Sequence, residues 1–350
     1  MRKLIFIKKY KFATIFNLLI LIFITGCDTG INDSKGEMNI ISLVTDSAVL
    51  QETAPIILTG SDIIFEKDIQ FKDYTLNDEY PYNDTLRWFQ WKKIKEHIAH
   101  IENEINADTE RAKIGIFSNY KNLNGEAPTV SDFVRNEYKR VSDRYGVERY
   151  QSVPLYSFEG DTILERYGRD GWIAKIIGSD TTEMIRVKGV SFEGEYLIPN
   201  RYIKLWGDSI KFDKAVAVDV TNQNISTLEK RDDRWYILSM NPATTGVHKP
   251  PYALETPIGL FAVQEQKEKM FYTKDGSSEL AGYAPFASRF TNGAYLHGVP
   301  VQYPRQRIIE WSNTLGTTPR SHMCVRNATS HSKFLYDWLS IKESVVIVID

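Results

Sequence analysis

The chain has 350 residues, 42% of them hydrophobic and 25% charged, with a formal net charge of −2. That length supports more than one core, and the composition is ordinary for a globular protein. A nearly balanced charge gives no support for nucleic-acid binding through a basic surface, and no such partner is expected.

Arg2, Lys3, Lys8, Lys9 and Lys11 surround the start of an apolar run from Phe12 to Ile24, which is broken only by Thr14 and Asn17. The run is short for a spanning helix and small residues follow it, so residues 1–26 read as an export leader. Ile24-Thr25-Gly26-Cys27 resembles a bacterial lipobox. The resemblance implies that Cys27 is the first mature residue and carries acyl chains. The body would then be an exported, membrane-anchored lipoprotein facing the periplasm or cell envelope. The alternative is an uncleaved anchor with an incidental cysteine. Residues 27–50 are polar without a clear period and are expected to form a tether.

A helical region is expected over residues 51–146. Ile94, Ile98, Ile101 and Ile105 recur at helical spacing and predict a helix from Asp84 to Ala107. A second helix is predicted from Thr129, a cap with Asp132 three residues on, to Tyr145, with Gly146 ending it. His97 and His100 share a face, but no third ligand follows them, and a solvated face is the simpler reading. Over residues 147–210 short apolar runs alternate with Gly and Asp turns, as in Val153–Tyr156, Gly171–Ile177, Ile185–Val187 and Tyr196–Pro199. Four or five short strands suggest a small barrel. Asp170-Gly171-Trp172-Ile173-Ala174 followed by Glu195-Tyr196-Leu197-Ile198-Pro199 resembles bacterial SH3-like modules. A wall-binding role and a plain spacer both remain open for it.

The last unit, residues 214–350, opens with the strand-like run Ala215–Val220 and continues through Trp235–Met240 and Ile258–Val263. Ser330–Ile341 has helical character, and Val345–Ile349 reads as a buried strand. The whole predicts a multidomain α+β chain: an N-terminal helical segment, a small SH3-like β-barrel, and a mostly-β C-terminal domain with one late helix.

Chemistry concentrates near the end. With Cys27 assigned to the leader junction, Cys324 is the sole remaining cysteine, so the body has no intrachain disulfide. It sits in Ser321-His322-Met323-Cys324-Val325-Arg326-Asn327, after Tyr295-Leu296-His297-Gly298. Imidazole can take a thiol proton, and the thiolate attacks carbonyl carbon. A buried, inert cysteine is the competing reading.

Three elements in order, Ser239–Gly246 after an opening strand with Asp219, Thr256-Pro257-Ile258-Gly259-Leu260-Phe261, and His297-Gly298 followed by Ser321–Arg326, resemble the L,D-transpeptidase catalytic domain of the YkuD type. The resemblance implies Cys324 as nucleophile, His297 as base and the Gly298 carbonyl as the group that orients it. Backbone N–H groups at Met323 and Cys324 would bind the oxyanion, and His322 ranks second as base. Arg326 would hold a stem-peptide carboxylate, with Ser321, Met323 and Asn327 also lining the substrate site. Tyr283 and Asn292 are further groove candidates. An acyl-enzyme thioester resolved by an amine gives a 3→3 cross-link in peptidoglycan; resolved by water, the same site is an L,D-carboxypeptidase. A non-catalytic wall-binding lipoprotein is the alternative from another class.

Two departures stand out. Met323 replaces the family's usual glycine, and would be strained if φ is positive there. The segment Pro300–Arg320 is long, as a lid or as a surface insertion. In papain-like and NlpC-type peptidases the cysteine precedes the histidine; here both His297 and His322 come first. No phosphate-binding glycine loop or zinc motif is evident, and neither cofactor nor metal is expected.

Overall fold

The structure, a computed structural model, describes residues 57–106, 112–158, 163–178 and 183–350. The leader, Cys27 and the tether lie outside the described residues.

The centre is a six-stranded sheet in the order Phe65–Lys67, Arg234–Pro242, Asn224–Arg231, Lys214–Asp219, Ser344–Ile349, Gly259–Ala262. Lys214–Asp219 and Ser344–Ile349 run parallel, Val216 opposite Val346 and Val218 opposite Val348. Both strands are apolar without alternation because both faces are covered. Val216, Val218, Val346 and Val348 join one core with Phe261, Phe290, Leu296 and Val325. Ala215, Ala217, Val345, Ile347 and Ile349 join a second core with Ile94, Ile98, Ile101 and Ile105. Each fully buried aliphatic side chain of this kind contributes roughly 1.5–3 kcal/mol. A helix therefore covers one face, and the site-bearing sheet lies toward the other.

That site-bearing sheet runs Glu265–Thr273, Leu280–Thr291, Ala294–His297, Val325–Arg326, with Val301–Gln302 also paired to Leu280–Thr291. The helix Thr329–Trp338 packs on it, buries Leu335 and leads into Ser344–Ile349. These elements follow the order expected for residues 214–350.

The N-terminal half differs from expectation. The first helix is Trp91–Ile101 and continues as a π-helical turn, Glu102–Asn106. Its predicted first turn is instead a hairpin of Glu79–Tyr82 and Thr85–Trp88, turned at Asn83 with φ 50°. The helix expected over Thr129–Tyr145 does not form. Asn136 Oδ1 accepts the N–H groups of Tyr138 and Arg140, and Asp143 Oδ1 accepts those of Tyr145 and Val147. These side chains take the donors a helix would need, and leave two short strands, Val134–Arg135 and Val141–Ser142. His100 Nε2 meets the Val190 carbonyl at 2.8 Å.

Residues 113–207 build a seven-stranded sheet in the order Ile203–Gly207, Lys113–Phe117, Ile173–Gly178, Met184–Gly189, Glu195–Pro199, Ser152–Tyr156, Leu164–Arg169. It is larger than the four or five strands expected, and it starts well before residue 147. Its apolar residues Phe117, Val153, Leu155, Tyr167 and Trp172 belong to the same core as Phe261 and Phe290. This sheet and the C-terminal sheets thus share buried surface.

Candidate active site

The parallel pairing of Ala294–His297 with Val325–Arg326 builds the site. Leu296 lies opposite Val325, and His297 opposite Arg326. Cys324 is the residue before this pairing starts, so topology brings it beside the histidine strand across a crossover of 27 intervening residues. The Asn327 N–H donates to the His297 carbonyl at 2.9 Å and extends the ladder.

The His297 ring is buried. Its Nδ1 lies 2.7 Å from the carbonyl of Gly298, which can only accept, so Nδ1 carries the proton and Nε2 the lone pair. Burial draws His297 down to about 4; the Gly298 carbonyl opposes this, and the Arg326 charge adds to it. Burial pushes the Cys324 thiol up to about 11, against a main-chain hydrogen bond at Tyr295 and the Arg326 charge, which both lower it. The resting pair is therefore a neutral thiol and a neutral imidazole. Sγ donates to the Gly293 carbonyl at 3.4 Å. No hydrogen bond joins it to an imidazole among the described residues.

Three braces fix the nucleophile loop. Ser321 Oγ donates to the Cys324 carbonyl. Thr256 Oγ1 accepts the Gly246 N–H and donates to the Met323 carbonyl, each at 2.8 Å. Gly246 has no room for a Cβ, which would run into the Leu254 carbonyl and the Met323 Cα. The Thr256 bond sets the plane of the Met323–Cys324 peptide and so aims the Cys324 N–H. Neither Met323 nor Cys324 donates its N–H to a protein acceptor among the described residues. Two free donors flanking a thiol are what an oxyanion requires.

Met323 has φ 108°, in the region that favours glycine. Its side chain packs at the edge of the main core. Conformations of this sort store about 1–3 kcal/mol and persist where the surroundings over-determine them, as the Thr256 and Gly246 contacts do here.

The other expected residues fall into two groups. Arg326 is partly buried beside Cys324 and Tyr272, its Nε has no partner, and it makes no ion pair among the described residues. Burial lowers its pKa, and Cys324 and Tyr272 raise it. Asn327 is fully buried, with both side-chain amide atoms unpartnered. Ser321 is buried and its hydroxyl is spent on the loop. His322 turns outward and pairs with Asp275 at 3.1 Å. Tyr283 is buried, its hydroxyl donating to the Gln306 carbonyl, and Asn292 is buried in the turn before Gly293.

The segment Pro300–Arg320 is pinned at its middle. Glu310 accepts the N–H and hydroxyl of Ser330, and Thr329 Oγ1 donates to the Ile309 carbonyl. Residues Arg305 to Glu310 border a cavity of about 500 Å³. In the sequence Thr256 stands out only as part of a motif, and Asp170, Arg289 and Gly293 carry no local sign of a place near the thiol. The Asp170-Gly171 pair signalled a turn, and nothing local signalled its distant partners.

Residues 213–348 match the model of the YkuD family, the L,D-transpeptidase catalytic domain. No curated protein matches the chain. Among solved structures, an L,D-transpeptidase from Mycobacterium smegmatis is 19% identical, with 51% of this chain aligned to 82% of that one and a TM-score of 0.32. An L,D-transpeptidase from Mycobacterium tuberculosis H37Rv is 15% identical over 57% of this chain and 76% of that one, with a TM-score of 0.31. One from Xylanimonas cellulosilytica is 20% identical over 40% and 62%, with a TM-score of 0.27.

Proposed function

With residues 213–348 matching the YkuD L,D-transpeptidase catalytic domain, we propose that this protein is a cysteine-dependent acyltransferase acting on peptidoglycan stem peptides. The observation that carries the reading beyond the family match is the His297–Gly298 bond, on a strand laid parallel beside the one that follows Cys324. It fixes one tautomer and leaves Nε2 as the basic atom.

The mechanism follows from a neutral pair. A donor stem places its scissile carbonyl against Sγ, with the oxygen toward the Met323 and Cys324 N–H groups. Sulfur attacks carbon as Nε2 takes the thiol proton. The oxyanion is held by the two N–H groups; losing one such donor raises a barrier by roughly 3–4 kcal/mol. The tetrahedral adduct collapses, the C–N bond breaks, and the leaving D-alanine amine takes the proton from imidazolium. A thioester remains on Cys324. An acceptor amine attacks it, passes a proton to Nε2, and the sulfur leaves and is reprotonated. An acceptor from a neighbouring stem gives a 3→3 cross-link, and water gives the carboxypeptidase outcome. The unpaired Arg326 guanidinium suits a stem carboxylate, because its planar fork matches two oxygens. The lipobox-like Ile24–Cys27 supports an exported protein anchored through Cys27.

Incubation with disaccharide-tetrapeptides is expected to release free D-alanine from the wild-type protein and none from Cys324→Ala, read by mass spectrometry. No release from wild type, or equal release from both, would favour the wall-binding alternative.

A further inference from the structure

Asp170 follows the strand Leu164–Arg169 and lies outside the matched domain. It is fully buried. Its Oδ1 stays within its own half and accepts the Asn119 N–H at 2.8 Å. Its Oδ2 reaches the C-terminal half, accepting from Gln264 Nε2 at 2.9 Å, Arg289 at 2.5 Å and the Asn292 N–H at 3.0 Å. The Asp170 carbonyl accepts the Thr291 hydroxyl at 2.6 Å. Gly171, at φ 88°, sits so close that a Cβ would run into the Phe290 carbonyl, and its own carbonyl accepts the Ala262 N–H. From the same half, the Tyr120 ring lies under the Arg289 guanidinium at 4.5 Å.

Thr291 and Asn292 belong to the turn between Leu280–Thr291 and Ala294–His297. Asn292 has φ 39°, a left-handed conformation that a side-chain-bearing residue enters at a penalty unless something holds it. The next residue is Gly293, whose carbonyl takes the Cys324 Sγ. Tyr295, two residues further, supplies the main-chain bond that acts on the same thiol.

We propose that Asp170 is a positioning residue for the Cys324 thiol, acting through the Thr291–Gly293 turn, so that residues 113–207 are part of the catalytic apparatus rather than a detachable module. The proposal rests on reading Cys324 as the nucleophile. One buried carboxylate satisfies the donors that hold the turn; the turn sets the Gly293 carbonyl that takes the thiol and leads straight into the strand that carries Tyr295.

The test is Asp170→Asn in the full chain. An amide turns an NH₂ toward donors that now meet an oxygen, and leaves Arg289 with only the more distant of its two counter-charges, Glu265 at 3.4 Å. The charged and main-chain groups acting on the thiol are Arg326 and Tyr295; behind the turn lie Arg289, Glu265 and Tyr120. Burial is the largest cause of the raised thiol, so a loosened turn that admits water lowers it. Iodoacetamide alkylation of Cys324 is expected to shift its pH midpoint down by at least one unit from about 11, while D-alanine release falls at least tenfold. Glu102→Gln breaks a buried pair with Lys230 elsewhere; it is expected to lower thermal stability without moving the alkylation midpoint. If Asp170→Asn does not fold, Thr291→Val, which removes one donor to the Asp170 carbonyl, is expected to shift the midpoint in the same direction. A folded Asp170→Asn, or failing that Thr291→Val, with a wild-type alkylation profile overturns the proposal. Alkylation needs no muropeptide. A shifted midpoint in a protein that releases no D-alanine would leave the positioning intact and remove the transpeptidase reading.

Discussion

Replacing His297 with alanine is expected to slow D-alanine release by about 10³-fold, within the roughly 10²–10⁴-fold range of a positioned general base. The effect is large because the resting thiol is protonated. With Cys324 pushed up to about 11, almost no thiolate exists at neutral pH, and attack requires removal of the proton as the bond forms. His297 is the buried imidazole on the strand beside Cys324, with its tautomer set by Gly298. The pH profile should carry the same signature. His297 titrates at about 4, so the wild-type rate should already be level from about pH 5 to neutrality. His322→Ala should keep most of the rate, since that ring is exposed and faces Asp275. Rates at pH 5–8 for the three proteins decide the matter. A wild-type profile rising through about pH 6.5, or a greater loss in His322→Ala than in His297→Ala, would assign the base to the wrong ring.

The second large effect is on stability. His331 is fully buried, its Nε2 meets Ser239 Oγ at 2.9 Å, its Nδ1 has no partner, and burial draws it down to about 3. Both His331 and His297 are lowered in the folded state from an unfolded value near 6.5. As pH falls the unfolded chain binds these protons first. The stability they confer is complete above about pH 6.5 and is lost as pH drops toward 4 for His297 and 3 for His331. At about 1.4 kcal/mol per unit, the losses are on the order of 3 kcal/mol for His297 and 5 kcal/mol for His331. Their sum is comparable to the whole stability of many domains, roughly 5–15 kcal/mol, so acid unfolding should begin near pH 4. Urea midpoints measured from pH 7 to pH 4 should fall steeply, and less steeply in His331→Gln. A midpoint that is flat across that range would contradict the burial of neutral imidazoles.

What sequence could show was set by how local each signal is. Val345–Ile349 read as a buried strand because cover on both faces makes an unbroken apolar run. The pair His297 and Cys324 is picked out in the sequence by a family resemblance, and the structure adds that their strands lie side by side. Thr129–Tyr145 does not form a helix because a cap-like Thr129 and a terminal Gly146 suit turns as well, and Asn136 and Asp143 decide by capturing backbone donors. Lys113–Phe117 pairs with Ile203–Gly207, a partner too distant for any local pattern to announce. Asp170 looked like a turn residue; its importance lies in partners more than ninety residues away. Met323 could be flagged as a departure from glycine, and the positive φ shows that the backbone kept the glycine-like turn and carries the strain.

Every step proposed for this protein requires that a stem peptide acylate Cys324. Mixing the protein with a disaccharide-tetrapeptide, quenching in acid and measuring intact mass tests it directly. The expected product is an adduct equal to the donor minus D-alanine, mapping to Cys324, removed by hydroxylamine as a thioester should be, and absent in Cys324→Ala. An unmodified Cys324 in a preparation that is turning over tetrapeptide, or an adduct on another residue, would contradict it.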